Sequence, residues 1–275
     1  MHNREFVRKL QNAHADHIEN QYGQLATLPG NPFEIEILRV GSARVFLCNE
    51  DRLENRGILT GNETVEELVA ISDVFRKKGV EGYFELNPAN YYRTEPFSWK
   101  SETIQSMLRL GYHPGMFRCV WFLDNSQGVQ MLDCDSPRVD RFSSSQRTEF
   151  ADLKQIVQPG PPDSVEKERE LTEHGFTEHW HNYIGFDGNR PVSTSSMFVH
   201  KEIGYLSWAF TQPSFRRKGH HKQHVTRRVF DAFELGCSEV FSVTDFNIPS
   251  SLSLQELGFR LAYNYLLMEF PTVSS

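Results

Sequence analysis

The chain has 275 residues, 39% of them hydrophobic, and a formal charge of −7, which is enough material for one or two domains with cores of their own. No apolar run approaches the ~18 residues of a membrane-spanning helix, and the net acidity argues against a general nucleic-acid binder. Cys48, Cys119, Cys134 and Cys237 stand far apart with no Cys-x-x-Cys pair, a pattern of reduced thiols rather than of a disulfide framework.

The first 22 residues read as one charged helix without the apolar stretch of a signal peptide, so a cytoplasmic protein is expected. "EIEILRV" and "ARVFLCN" read as strands around a turn at Gly41-Ser42. In "ETVEELVAISDVFRKKG" the spacing puts Val65, Leu68, Val69 and Phe75 on one helical face, and Gly79 stops the helix. The strand "VEGYFEL" follows and ends at Asn87-Pro88, then a helix "SETIQSMLRLGY" closed by Gly111, then the strand "FRCVWFL". The polar turn formers of "DNSQG" at 124–128 mark a domain boundary. Beyond it come a strand near 137–142, a helix "SSQRTEFADLKQIV" broken by "QPGPPDS", and a further helix with the capping-box spacing Asp163-x-x-Glu166. A hairpin around Asp187-Gly188 is next, then the strand "GYLSWAFT", a helix ending at Gly236, the strand "EVFSVTDF", a short helix ending at Gly258, and the strand "YNYLLMEF".

This alternation predicts mixed α/β architecture. It also repeats. Helix, Gly79, strand, Asn87-Pro88, helix, "LRLGY", strand is followed later by helix, Gly236, strand, Asn247-Ile248-Pro249, helix, "QELGF", strand. Gly111-Tyr112 and Gly258-Phe259 play the same part, so two copies of one fold are expected, over 1–126 and 127–275.

The charge is gathered in one place. Between 216 and 228 there are six Lys/Arg and no Asp/Glu. Pro213 ends the strand before this run, and Val225, Val229, Ala232 and Phe233 after it have the spacing of a helix with one buried stripe. "SFRRKGHH" is therefore a strand-to-helix turn. A helix N-terminus offers backbone N–H groups without intrahelical partners and the positive end of the dipole. Gly219 lets a ligand approach the backbone, and Arg216, Arg217 and Lys218 add charge, so a phosphate or pyrophosphate site is predicted.

Arg216-Arg217-Lys218-Gly219-His220-His221 resembles the Arg/Gln-x-x-Gly-x-Gly/Ala signature of the GCN5-related N-acetyltransferase (GNAT) superfamily. The spacing from Arg216 to Gly236, the following strand, Asn247 and "LGF" at 257–259 match in order, over about residues 135–270. The resemblance implies a mixed, mostly antiparallel twisted sheet flanked by helices. It implies an acetyl-CoA-dependent N-acetyltransferase acting on a small-molecule or amino-acid-like amine, with neither nucleic acid nor membrane as partner. Acetyl-CoA would lie between the splayed strands "GYLSWAFT" and "EVFSVTDF". The amides of 216–221 would hold the pyrophosphate, the backbone of Phe210 and Thr211 would pair with the pantetheine arm, and the Asn247 side chain would bond the pantetheine or the acceptor.

The chain departs from the family pattern at three places. His221 stands where Gly or Ala is usual; its bulk would crowd the cofactor, its protonated ring would touch a phosphate, or it is a partly buried capping histidine. Ser250 holds the position three after the asparagine, and Leu254 holds that of the tyrosine usually acting as acid for the thiolate. A general acid contributes typically about 10²–10⁴-fold, so its loss slows the reaction without forbidding it; Ser250, Ser251, Tyr263 and Tyr265 are the substitutes by sequence. For the base, Asp245 is the first candidate, with Glu178 and His181 behind it. A non-catalytic acyl-CoA-binding protein is the alternative reading. In the first copy "LTGNET" at 59–64 has no cation and one acid, Glu63, so that half is expected to bind no cofactor. His174, His179 and His181 match no familiar metal spacing and no metal is expected; Trp180 and Trp208 are expected in the core.

Overall fold

A computed structural model describes residues 4–49, 53–60, 63–86, 102–127, 137–160, 165–175 and 178–270. Asn87-Pro88, Cys134 and Asp163 of the expected capping box lie outside these residues. The elements in order are α1 (Arg4–Ala26), β1 (Glu36–Val40), β2 (Ala43–Leu47), β3 (Arg56–Ile58), α2 (Val65–Lys78), β4 (Gly82–Leu86), α3 (Glu102–Arg109), β5 (His113–Asp124) and β6 (Arg138–Phe142). They continue with α4 (Arg147–Val157), α5 (Val165–Gly175), β7 (Trp180–Asp187), β8 (Arg190–His200), β9 (Ile203–Thr211), α6 (His220–Glu234), β10 (Glu239–Asp245), α7 (Pro249–Glu256) and β11 (Arg260–Phe270). Among the described residues no helix is long and apolar enough to cross a membrane.

The chain divides into two compact units, Met1–Val120 with Ala262–Ser275, and Trp121–Leu261. In the first, β1, β2 and β3 pair antiparallel in turn and β3 pairs parallel with β4. In the second, β6 to β9 pair antiparallel in turn and β9 pairs parallel with β10. In each unit a helix makes the crossover between the two parallel strands, as parallel pairing requires: α2 in one, α6 in the other. Gly79 and Gly236, just past those two helices, both have positive φ, as do Gly111 and Gly258. The repeat read in the sequence is thus a repeat of fold.

The division does not fall at one linker near 126. Residues 266–270 of β11 pair antiparallel with β4, Leu266 opposite Leu86 and Phe270 opposite Gly82. That pairing brings Met268 and Phe270 into the first unit's core with Phe75, Phe84 and Tyr112. The end of β5 in turn belongs to the second unit, where Trp121 Nε1 donates to Thr244 Oγ1 (2.9 Å) and Asn125 N–H to Ser238 O (3.0 Å).

The apolar faces are close to expectation, with one correction. On α2 the buried residues are Leu68, Ile71, Ser72 and Phe75, while Val69 is 36% exposed. Ser72 takes the core position because its hydroxyl returns to Leu68 O (2.7 Å) and meets Tyr112 Oη (3.1 Å), which satisfies it without water. Phe75 is fully buried, worth about 2–3 kcal/mol by area. In the second unit Gly204 lets α6 lie close on β9, since a side-chain carbon there would meet Ala232 Cβ at 3.1 Å.

Candidate functional site

The second unit places the predicted turn where the sequence put it. β9 ends at Thr211, a short 3₁₀ turn covers Pro213–Phe215, and α6 begins at His220. Arg217 has φ 64° and Gly219 has φ 84°, two left-handed residues that fold the backbone into a concavity. The first intrahelical bond runs from Gln223 N–H to Gly219 O (3.0 Å), so the preceding amides lack helical partners. Gly219 provides no side-chain cap and the first turn of α6 holds no acid. A side-chain carbon built on Gly219 would have no atom within 4 Å. The space beside the Gly219 Cα is open, and amides without helical partners at a helix start are donors of the kind that anions take.

Arg216, Arg217 and Lys218 are exposed around this opening. Arg216 Nε donates to Thr211 O (3.2 Å). Lys218 lies 4.8 Å over the Phe215 ring and 3.5 Å from Asp187. The other three cations of the run are engaged elsewhere: Lys222 pairs with Glu256, Arg227 Nε donates to Asp231 Oδ1 (3.0 Å), and Arg228 is buried. The basic run is therefore a three-residue cluster at the turn and not a continuous basic face.

The histidines are neutral parts of the helix start. His220 is buried with its ring edge-on to Phe215, and burial lowers its pKa. His221 shares the inward face with Val225 and Val229, and burial, helped by nearby Arg228, lowers its pKa to about 4. Without a ligand the His221 ring is therefore neutral at neutral pH. His224, fully buried, bridges Ser195 Oγ (2.7 Å) and Ser193 Oγ (2.9 Å).

Beside the turn the two parallel strands part. Their register runs from Ile203–Glu239 to Leu206–Ser242 and stops there, although β9 continues to Thr211 and β10 to Asp245. Ser242 Oγ donates to Leu206 O (3.0 Å) at the last rung. Past it no further rung joins 207–211 to 243–245 among the described residues, while Ser207 O accepts from Arg228 Nη1 (3.1 Å) and Thr211 O from Arg216 Nε (3.2 Å). Gln212 N–H donates to Val192 O (3.0 Å). By the two-residue alternation of an antiparallel ladder, Phe210 also directs its polar groups to β8, while Ala209 and Thr211 direct theirs to the gap. The sequence singled out Phe210 and Thr211; the alternation makes Ala209 and Thr211 the gap-facing pair.

The other candidates sit on or beside β10, α7, β7 and β11. Asp245 ends β10, and Asn247 follows with φ 56°, exposed, just before α7. Ser250 is half-buried in the first turn of α7, whereas Ser251 bonds back to Ile248 O (2.7 Å) and Leu254 is 1% exposed. Glu178 is exposed and His181 lies on β7, which β8 separates from β9. Burial, with Arg141 adding to it, lowers the His181 pKa to about 4, so its ring is neutral at neutral pH. Tyr263 and Tyr265 fall in the first unit with most of β11. Trp180 is buried, and Trp208 packs against Trp180, Phe198 and the Phe142–Phe150 cluster, with Lys154 Nζ 5.0 Å over its ring. Sequence reading missed Arg228, although its position three after Val225 and four before Ala232 sets a cation on the apolar stripe.

No protein-family profile and no curated protein matches the sequence. Solved structures are similar in fold. A GCN5-related N-acetyltransferase from Kribbella flavida superposes with a TM-score of 0.62 at 14% identity, covering 92% of this chain and 95% of that one. One from Sphaerobacter thermophilus gives 0.59 at 12% identity, over 86% and 84%. A tandem GNAT protein from the clavulanic acid biosynthesis pathway gives 0.60 at 9% identity, over 87% and 82%. With its two repeated units and their parallel strand pairs, the chain has the fold of the GNAT acetyltransferases, in a tandem arrangement.

Proposed function

We propose that the second unit is an acyl-CoA-dependent N-acetyltransferase, with acetyl-CoA as donor and a small-molecule amine as acceptor. One observation carries the reading: an uncapped, acid-free helix start with open space over Gly219, ringed by three cations, at the point where β9 and β10 part. The amides around Gly219 would hold the pyrophosphate, with Arg216, Arg217 and Lys218 about it. The open edge of β9 at Ala209 and Thr211 would take the pantetheine arm, and Asn247 would bond the pantetheine or the acceptor.

The thioester supplies an activated acyl carbon. Transfer forms its bond to the acceptor nitrogen and breaks its bond to sulfur, which leaves with the electron pair. Asp245, at the end of β10, is the residue assigned to take the amine proton, directly or through water. Leu254 is buried and carries no proton to give, so Ser250 or solvent protonates the thiolate. The first unit is proposed to hold no acyl-CoA, because its equivalent helix start is filled by its own carboxylates.

Acetyl-CoA mixed with a panel of small amines should release free CoA thiol, and calorimetry should show CoA binding that requires Gly219. Binding without turnover on any amine favours the second reading, an acyl-CoA sensor, for which the buried Leu254 is the specific support. A wild-type protein with no affinity for CoA sinks both.

A further inference from the structure

The β8–β9 ladder is interrupted once. Met197 faces Leu206 and Ser195 faces Ala209, so Ser196 stands against two residues, Ser207 and Trp208. One extra residue in a strand is a β-bulge; it takes backbone groups out of the ladder and shifts the alternation beyond it. The bulge starts at the residue after the last rung between β9 and β10. The carbonyls of Ser196 and Ser207 both accept from Arg228 Nη1, at 2.8 and 3.1 Å, while Arg228 Nε donates to His224 O at 3.1 Å.

Arg228 is 2% exposed, and no carboxylate pairs with it among the described residues. The groups that face it are Tyr183, Tyr205, His221 and His224. Burial lowers its pKa to about 10, which still leaves it charged at neutral pH. Burying a cation without a counter-charge is unfavourable, and an apolar side chain of similar volume would avoid that cost. What the guanidinium alone supplies is a rigid set of donors that reaches one carbonyl on each of two strands.

We infer that Arg228 is the positioning residue of the gap: it pins the bulge, and the bulge decides that Ala209 and Thr211, rather than Phe210, present their backbone groups to a bound ligand. Its consequence for catalysis rests on the acyl-CoA reading; the local claim does not.

The test is amide hydrogen exchange in the full chain carrying Arg228→Met, a long apolar replacement. Phe210 and Gln212, which β8 protects beyond the bulge, should lose about 100-fold in protection, while residues 203–206 on the near side change by less than about 3-fold. CoA should bind at least about 10-fold more weakly, because Ala209 and Thr211 are the groups proposed to pair with the pantetheine arm, and turnover should fall at least about 20-fold. Arg228→Lys should recover part of both. Unchanged exchange at Phe210 and Gln212 overturns the inference, and so does protection lost evenly along the second unit. Failure of both variants to fold overturns it too, since Arg228 is then a general core residue. If wild-type protein binds no CoA, the functional reading fails, and the exchange data still decide the role of Arg228.

Discussion

The starts of α2 and α6 occupy equivalent places in the two units and treat the same backbone groups in opposite ways. At α2 the chain satisfies itself. Thr64 and Glu67 form a reciprocal capping box, Thr64 N–H to Glu67 Oε2 (2.7 Å) and Glu67 N–H to Thr64 Oγ1 (3.2 Å). Just before it Glu63 Oε1 accepts from Thr60 N–H (2.6 Å), Thr60 Oγ1 (2.9 Å) and Ser42 Oγ (3.0 Å). At α6 there is no cap, no acid, and a left-handed glycine under open space. Capping a helix and binding an anion compete for the same amides. The first unit has taken the stability, and the second has left the amides to a ligand.

The most severe way to erase the contrast is Gly219→Glu. The site has room for a side chain, so a clash is not the mechanism. The left-handed φ costs about 1 kcal/mol for a side-chain residue, and the carboxylate would lie over the free amides much as Glu63 fills its own turn. CoA affinity measured by calorimetry should fall at least about 100-fold; retained micromolar binding would refute the placement.

Removing the cations singly should act more mildly. Arg216→Ala, Arg217→Ala and Lys218→Ala should each weaken CoA binding about 3- to 10-fold, and raising the salt in wild-type protein should weaken it in the same direction.

On the other side of the comparison, Glu63→Ala takes the acceptor from Thr60 N–H and from two hydroxyls, Ser42 Oγ and Thr60 Oγ1, that can still pair with each other (2.7 Å), and should lower unfolding stability by about 1–3 kcal/mol. It should leave CoA affinity unchanged, because it frees one amide, that of Thr60, in the unit proposed to hold no acyl-CoA. Thr64→Ala should cost about 1 kcal/mol of stability by losing the cap. Denaturant titration beside calorimetry separates the two effects.

A further expectation concerns pH. His221 and His181 have folded pKa values near 4, below the value of a solvated histidine. Below about pH 6.5 the unfolded chain takes up these protons and the folded chain does not, so stability falls as pH drops from about 6.5 to 4 and is flat above that range. CoA affinity measured between pH 6.5 and 8 should show no His221 titration; a step there would mean that His221 is protonated by its ligand.

How much of this could be read from the sequence depended on distance along the chain. The turn at 216–221 was legible because a strand stop, a glycine and an apolar stripe are all local signals. So were the helix ends at Gly79 and Gly236. Val69 was misread because helical spacing gives the width of a stripe but not its centre, and Ser72 took the core position through a hydroxyl bond to its own helix. The pairing of β11 with β4 was not legible: an alternating apolar strand suits either of two related sheets, and only long-range register chooses. Arg228 was visible as a cation on a buried stripe, yet its meaning required the bulge on a strand twenty residues away, and bulges leave little trace in composition.

The placement of β11 has a consequence for synthesis. The first unit's sheet needs residues 266–270, which the ribosome delivers only after all of 121–261 has emerged. Until then the open side of β4 is an unpaired edge, exposed to the same hazards as any unfinished sheet. The unit that begins translation first is thus the one that finishes folding last, and a gene split at residue 126 should yield a first fragment that aggregates unless the second is supplied with it.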